Sequence, residues 1–239
     1  MKLEKILSVQ QYLKKEGLIK EYYKTSLFNF WKVSSVGYLK NFVREGLWTS
    51  YYETGMLKSK ENYKEGKLHD LRESYYENGN LEKREKYFNG QLDGEWEHYF
   101  EDGQLRIKGI YKNGKKHGPE EVFHNNGKIY EKSTYQNGVM NGSWERYWDN
   151  GQLIVKWLIK DGWTVDGRVD HYDKNGQIYS ISHYKNREED GIQTWYHENG
   201  KLKWRIRKQS GKREGLSEYF DENGNLECTE MYVNDELVT

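Results

Sequence analysis

Apolar or aromatic residues alternate with charged ones along short segments of this chain, and each segment ends at a glycine-containing turn. In residues 95–100 the alternation places Tyr99 on one side of a strand. Trp96, His98 and Phe100 fall on the other side. The segments between turns run about six to eight residues, which is the length of a strand and too short for a typical helix. The pattern therefore predicts a succession of short β-strands.

One phrase recurs at a nearly constant spacing. Eight glycines that are followed two positions later by Leu or Ile stand in steps of 24 residues, with one step of 25. An aromatic residue stands four positions before each of these glycines. The aromatic residues are Tyr51, Tyr75, Tyr99, Phe123, Tyr147, Tyr172, Tyr196 and Phe220. A period this regular predicts tandem repeats.

Ten Asn-Gly dipeptides lie at two kinds of turn in the repeats, and each marks a chain reversal because Asn and Gly tolerate the positive φ of tight hairpins. The predicted fold is all-β: an elongated single antiparallel sheet of tandem β-hairpins, with one hairpin per 24 residues or so. Residues 1–41 are predicted to be an N-terminal cap that contains a degenerate repeat. Residues 42–239 are predicted to hold eight repeats, the last partial or capping. Residues 1–15 fit either a strand or a short helix.

Strand alternation also assigns the faces of the predicted sheet. A three-residue turn at residues 101–103 would place Tyr99 opposite Leu105. By alternation, Leu105, Ile107 and Tyr111 are expected to share one face with Tyr99.

Two charged columns repeat along the array. The basic column is expected on the face opposite Tyr99, as a solvated row. It contains Lys60, Arg84, Lys108, Lys132, Lys156 and Arg205, with Ile181 at the equivalent position of one repeat. An acidic residue precedes the repeat glycine by six positions in six repeats. These acids are Glu73, Glu97, Glu121, Glu145, Asp170 and Glu218. A column present in most repeats indicates architecture, because a catalytic pair is needed only once.

Composition narrows the functional classes. The chain has 38 basic and 38 acidic residues, and this balance argues against a nucleic-acid partner held by bulk charge. No apolar run approaches the ~20 residues needed to span a bilayer, so integral membrane association is not expected. The first residues lack the apolar segment of a signal peptide. These features predict a cytoplasmic protein, and we expect a bacterial one.

Candidate catalytic and metal-binding residues are sparse. The seven histidines show no metal-binding spacing, so neither a metal nor a cofactor is expected, and no enzymatic activity is predicted. Cys228 is expected to be a core thiol. His124 and His197 are expected to replace surface aromatic residues at one position of the repeat.

The repeat is least regular between residues 161 and 191. Residues 161–167 hold the one-residue insertion, and Arg187 replaces a turn glycine. Departures from a repeat mark either a functional site or drift. The functional interpretation is an aromatic patch flanked by acids, suited to a protein partner. Its candidate binding residues are Trp144, Trp148, Trp163, Trp195, Glu188 and Glu189.

Residues 111–118 read Tyr-Lys-Asn-Gly-Lys-Lys-His-Gly, and residues 75–81 read Tyr-Tyr-Glu-Asn-Gly-Asn-Leu. Both phrases resemble the MORN (membrane occupation and recognition nexus) repeat, more closely its bacterial 24-residue variant. The resemblance covers residues 37–239. It implies a protein-binding role, and an antitoxin-like one, because this variant is common in proteins labelled as antitoxins. Other MORN arrays accompany lipid kinases, but this chain has no glycine-rich phosphate loop.

Two functional interpretations follow. The first is a protein–protein interaction or scaffold module with a protein partner, for which a toxin is one candidate. The alternative is glycan or cell-envelope binding through exposed aromatic rings. Contact with lipid or glycan stays open, and so does the oligomeric state.

Overall fold

Short strands joined by tight turns run through the chain. The computed structural model describes residues 5–6, 15–24 and 31–238, and no helix forms among them. The chain divides into two compact units, Met1–Gly118 and Pro119–Thr239.

The strands of the first unit are β1 (Lys5–Ile6), β2 (Gly17–Lys24), β3 (Trp31–Lys40), β4 (Val43–Tyr51), β5 (Leu57–Lys64), β6 (Lys67–Tyr75), β7 (Leu81–Phe88), β8 (Gln91–Tyr99), β9 (Leu105–Lys112) and β10 (Lys115–Lys116). The chain continues into the second unit with β11 (Gly118–Phe123), β12 (Ile129–Gln136), β13 (Val139–Met140), β14 (Gly142–Tyr147), β15 (Leu153–Lys160), β16 (Trp163–Thr164), β17 (Gly167–Tyr172), β18 (Ile178–Lys185), β19 (Glu188–Glu189), β20 (Gly191–Tyr196), β21 (Leu202–Gln209), β22 (Lys212–Phe220), β23 (Leu226–Val233) and β24 (Glu236–Leu237).

Within each unit, neighbouring strands pair antiparallel. A short strand and the strand after it can share one partner, as β13 and β14 both pair with β12. In the hairpin β8–β9, Trp96 lies opposite Gly109 and Tyr99 lies opposite Leu105. The prediction that these two residues would pair is confirmed. The predicted all-β fold, an antiparallel sheet built from tandem hairpins, is confirmed as well.

Two turn types alternate along each unit. At the first turn of this hairpin, the Phe100 amide donates to the Gln104 carbonyl at 2.8 Å, and Gly103 has a φ of 90°. At the second turn, Asn113 and Gly114 both have positive φ, at 50° and 74°. Consecutive positive φ values match the right-handed twist of the flanking strands, which explains the recurrence of Asn-Gly at this position.

A β-bulge in each hairpin overturns part of the predicted face assignment. His98 lies opposite Ile107, but the next residue, Tyr99, lies opposite Leu105, so Arg106 is the extra residue. Since His98 and Tyr99 point to opposite faces, Leu105 and Ile107 do too. The prediction that Leu105, Ile107 and Tyr111 share one face was wrong, because simple alternation does not count the bulge residue.

The bulge also places the tyrosine column and the basic column on the same face. The Tyr99 hydroxyl donates to Glu97 Oε2 at 2.5 Å, and Glu97 lies opposite Lys108. The prediction that the basic column occupies the face opposite Tyr99 was therefore wrong. We call the face of Glu97, Tyr99 and Lys108 the charged face. The opposite face, which carries Trp96 and His98, is called the buried face.

On the charged face the basic and acidic columns form one row of cross-strand ion pairs. Arg84 Nε lies 3.2 Å from Glu73, and Lys156 Nζ lies 2.7 Å from Glu145. The row is interrupted where Ile181 lies opposite Thr194. Exposed pairs of this kind contribute only ~0–1 kcal/mol each. Their regular placement favours the correct strand register, because a slipped strand would separate the paired charges.

Large side chains lie across small ones on the buried face. Trp96 covers Gly109, where an added Cβ would lie 2.8 Å from the Trp96 Nε1 atom. Trp48 covers Gly37 in the same way. In the second unit, Val155 and Val169 are among the buried residues of this face. A sheet without a second layer can thus bury apolar surface, which is worth roughly 1.5–3 kcal/mol for each fully buried large side chain.

Three predictions concern the N-terminal region and the last repeat. Lys5–Ile6 form a strand that pairs with Tyr22–Tyr23, whereas residues 1–4 and 7–14 lie outside the described residues. The domain boundary at residue 41 stays a prediction. Cys228 was expected to be a core thiol, but it is exposed. It pairs with Tyr219 on one side, and no described strand pairs with it on the other.

Candidate functional site

Paired charges cross the buried face of the first unit. Arg72 Nε lies 3.1 Å from Glu61, and Arg72 Nη1 lies 2.8 Å from Glu85. His98 Nε2 completes the network 3.1 Å from Glu85. Burial alone would raise the pKa of Glu85, but hydrogen bonds from His98 and Arg72 outweigh it and lower the pKa to about 2. Each charged group of this network is therefore paired with another group of the same chain.

A polar cleft of about 350 Å³ lies beside this network. Serines from four successive strands line it: Ser35, Ser50, Ser59 and Ser74. The Ser50 and Ser59 hydroxyls lie 2.6 Å apart, and Ser74 donates to Glu82 at 3.0 Å. The described contacts of these serines include no histidine, so the cleft lacks the hydroxyl–imidazole pair of nucleophilic catalysis.

On the buried face of the second unit, aromatic residues of three successive strands take the positions that serines occupy in the first unit. Tyr179 packs against Trp195 with ring centroids 5.6 Å apart. Trp195 stacks on Trp204 at 5.4 Å with an interplanar angle of 20°, and Trp204 lies opposite Tyr219 on the next strand. We call Tyr179, Trp195, Trp204 and Tyr219 the aromatic ladder. Trp195 is 39% exposed, so the ladder offers apolar ring surface to a partner.

Two of the tryptophans predicted to bind a partner already contact other groups of the chain. The Arg146 guanidinium lies 4.7 Å from the Trp144 ring centroid and also donates to Glu131 at 3.1 Å. Trp148 Nε1 donates to the Tyr172 carbonyl at 3.0 Å. Trp144 lies on the buried face, whereas Trp148 lies beside a first turn.

Trp163 stands at the irregular stretch, 54% exposed. The Arg187 guanidinium stacks over its ring at 3.6 Å, although Arg187 itself has a left-handed φ of 72°. The inserted residue Asp166 accepts a hydrogen bond from the Asn186 amide at 2.8 Å. Asp190 accepts the Ser210 amide in the same way in a repeat without an insertion, so this contact between neighbouring turns does not depend on the extra residue. The insertion leaves the register of the following strand unchanged, with Gly167 opposite Tyr184 as Gly142 is opposite Ile159.

The two acidic residues that were predicted to flank the aromatic patch lie in different environments. Glu188 is exposed at the second turn, whereas Glu189 pairs with Lys208. The six predicted residues thus do not form one patch. Trp144, Trp195 and Glu189 lie on the buried face, Trp148 lies at a first turn, and Trp163 and Glu188 lie at second turns.

Sequence reasoning missed one set of hydrogen bonds between repeats. The residue after the aromatic column carries a hydrogen-bond donor that reaches the backbone of the next repeat. Tyr52, Tyr76, His124, Trp148 and His197 contact the carbonyls of Tyr75, Tyr99, Tyr147, Tyr172 and Phe220 at 2.6–3.1 Å. His124 and His197, expected as surface aromatics, are inter-repeat hydrogen-bonding residues. The available signal was that Tyr, His and Trp all carry a polar hydrogen.

Asparagine amides join the first turns in a similar way. Asn78, Asn126, Asn150 and Asn199 donate to the carbonyls of Glu101, Asp149, Lys174 and Glu222 at 2.6–2.8 Å. Each of these asparagines precedes the repeat glycine. We call these amides and the preceding aromatic donors the turn staples.

Eight segments of the chain match the family model of the MORN repeat variant. The matched segments are residues 44–65, 71–91, 92–113, 116–137, 140–161, 165–186, 189–203 and 213–234. Together they cover more than half of the chain. The chain belongs to this family. MORN repeats are binding modules for proteins and membranes, and they are not known as catalytic units. No curated protein matches the chain.

Two further observations concern the MORN units. Among the residues that the structure describes, none forms a helix with the length and apolarity needed to cross a membrane. No group of three or more His, Cys, Asp or Glu side chains within the described ranges is arranged to hold a metal ion. The aromatic ladder is the feature of the described surface that best suits a binding repeat.

Proposed function

We propose that this MORN array is a non-catalytic scaffold that binds a protein partner through the aromatic ladder of the second unit. The observation that carries the proposal is the Trp195–Trp204 pair, stacked on the buried face with one ring 39% exposed. Trp and Tyr are enriched among the few residues that dominate interface energies. Of the four predicted tryptophans, Trp195 has no cation or backbone carbonyl against it among the described contacts.

The ladder is also ordered before any partner arrives. Tyr179 and Trp204 hold Trp195 from two sides, so binding would cost little side-chain entropy. The first unit offers less, because Arg72 and Glu85 satisfy each other and the serine cleft is polar. Among partner classes, a toxin follows from the family resemblance, and this antitoxin-like role is part of the proposal.

The test begins with co-purification of the chain from its native cell and identification of the bound protein. The partner's affinity is then compared for Trp195→Ala and Trp163→Ala, which each remove one exposed indole. Trp195→Ala is expected to weaken binding by at least about tenfold, and Trp163→Ala by less than about threefold. Circular dichroism would confirm that both variants stay folded.

Loss of partner binding in Trp163→Ala alone would contradict the proposal and would place the binding site at the irregular turns. A loss confined to Lys108→Ala/Lys132→Ala, with steep salt dependence, would identify a polyanionic partner on the charged face.

The second candidate function is glycan binding, which the exposed Trp195 ring favours because an exposed aromatic ring can stack on a sugar. Pull-down on cell-wall polysaccharide separates the two. Retention that disappears in Trp195→Ala, without any bound protein in the native cell, would support the glycan function instead.

A further inference from the structure

A cleft of about 430 Å³ opens next to the aromatic ladder. Trp204 and Tyr219 form its aromatic wall, and Asp221, Glu222 and Glu227 bring carboxylates to it. Trp195 stacks on Trp204 from the neighbouring strand on the other side, so the cleft lies on the side of Trp204 that faces Tyr219.

Cations of this chain stack repeatedly on its own aromatic rings. The guanidinium-to-centroid distances are 4.3 Å for Arg44 on Trp48, 4.7 Å for Arg146 on Trp144, 3.6 Å for Arg187 on Trp163 and 3.9 Å for Arg213 on Tyr232. No cation of the described residues stacks on Trp195 or Trp204. The ladder is thus an aromatic surface of the kind that this chain elsewhere covers with arginine, but here it is open.

The charges around the cleft favour a cation. Glu222 and Glu227 make no side-chain hydrogen bond or ion pair within the described part of the chain. Asp221 is occupied, since its Oδ1 accepts the Asn223 and Asn225 amides at 2.9 Å and 2.8 Å. Lys203 is the one Lys or Arg of the lining, so the carboxylates outnumber it.

We propose that the cleft receives an arginine side chain from an extended segment of the protein partner. The guanidinium stacks on Trp204 and pairs with Glu222 and Glu227. Arginine suits the cleft better than lysine, because its planar group can stack on a ring and donate in the plane to two carboxylates at once. This inference rests on the proposed function, since it names the chemistry of the partner at the same site.

The test uses the full chain and a tetra-arginine peptide as the probe, with a tetra-citrulline peptide as its neutral counterpart. Binding is followed by tryptophan fluorescence and calorimetry at physiological salt. The arginine peptide is expected to bind at least about tenfold more tightly than the citrulline peptide. Lys203→Gln should strengthen binding of the arginine peptide.

Glu222→Gln/Glu227→Gln should weaken arginine-peptide binding by about tenfold while leaving the fold intact. The matched control is Glu77→Gln/Glu101→Gln, which removes the same charge from exposed turn positions equivalent to Glu222 in two other repeats. Trp204→Leu should weaken binding of the arginine peptide and reduce its preference over citrulline, because it removes the stacking surface and leaves only the carboxylates.

Equal binding of the two peptides would overturn the inference, and so would an equal effect of the two glutamine pairs. The proposed function fails separately: it fails if Trp195→Ala keeps full affinity for the native partner. Loss of the native partner in Trp195→Ala, without any effect of Glu222→Gln/Glu227→Gln, would leave the scaffold function standing and refute the arginine site.

Discussion

At the residue scale, the buried face of the first unit holds a carboxylate whose charge is compensated by its neighbours. Glu85 is only 7% exposed, yet it has Arg72 and His98 within 3.1 Å. Removing one member of such a network leaves a buried partner without compensation, which is costly. The network therefore links the stability of the first unit to the protonation of one carboxylate.

The acid sensitivity of the first unit should depend on Glu85. Its pKa is lowered in the folded chain, so its stabilising contribution is present above about pH 4.5 and is lost as the pH falls toward about 2. The lowering of this pKa from 4.5 to about 2 corresponds to roughly 3 kcal/mol. Urea unfolding at a series of pH values should show a smaller loss of stability between about pH 5 and pH 3 for Glu85→Gln than for the natural chain. Glu77→Gln, at an exposed position, should keep the natural slope. Identical slopes for all three proteins would show that Glu85 is not the responsible group.

At the element scale, the hairpin is defined by its bulge and its turn staples. The bulge at Arg106 places Leu105 opposite Tyr99, and the staples join first turns of neighbouring repeats. A single hairpin is marginal in water, so these contacts between repeats are what make each hairpin stable.

Tyr76→Phe removes the hydroxyl that forms one staple and leaves the rest of the aromatic ring in place. The lost hydrogen bond from Tyr76 to the Tyr99 carbonyl, 2.7 Å long, should lower the unfolding free energy by about 1 kcal/mol. The matched control is Tyr179→Phe, because the Tyr179 hydroxyl makes no hydrogen bond among the described contacts. Chemical denaturation should show a shift of the midpoint for the first variant alone. Equal shifts would mean that the hydroxyl acts through solvation and not through the staple.

The periodicity of the sequence predicts the fold because turn glycines and the aromatic column recur in every hairpin. It also predicts the pairing of Tyr99 with Leu105, since turn length sets hairpin register. It does not predict the faces, because one bulge residue reverses the alternation beyond it. The ladder was only partly found: Trp195 stands out as a tryptophan, but its contacts with Tyr179 and Trp204 come from two other strands. Composition cannot show which tryptophan is already covered by an arginine, as Trp144 and Trp163 are.

At the scale of the whole molecule, each strand contacts mainly the strands that precede and follow it in sequence. Stability in such an array is approximately a sum of repeat and neighbour terms. Destabilisation should therefore stay local, in contrast to a globular core, where one large cavity weakens every element.

Trp48→Ala tests this locality within the first unit. Trp48 is 4% exposed and covers Gly37, so its removal should cost about 3–5 kcal/mol locally. Hydrogen–deuterium exchange should accelerate in β3, β4 and β5, and should change little in β8 and β9, where Trp96 still covers Gly109. A uniform acceleration across the unit would show that it unfolds as one cooperative block.

The asparagines of the turn staples can deamidate, so they limit how long the folded molecule stays chemically intact. In an Asn-Gly pair the glycine nitrogen can attack the side-chain carboxamide, and the ring that forms expels ammonia and opens to an acidic residue. Asn150 and Asn199 are held by hydrogen bonds to the next turn, 2.6 Å and 2.7 Å long, whereas the Asn175 carboxamide has no such bond among the described contacts. During storage at mildly alkaline pH, peptide mapping by mass spectrometry should therefore find deamidation at Asn175 before Asn150 or Asn199. Once a staple deamidates, it can no longer donate, so ageing at one turn would loosen its neighbour.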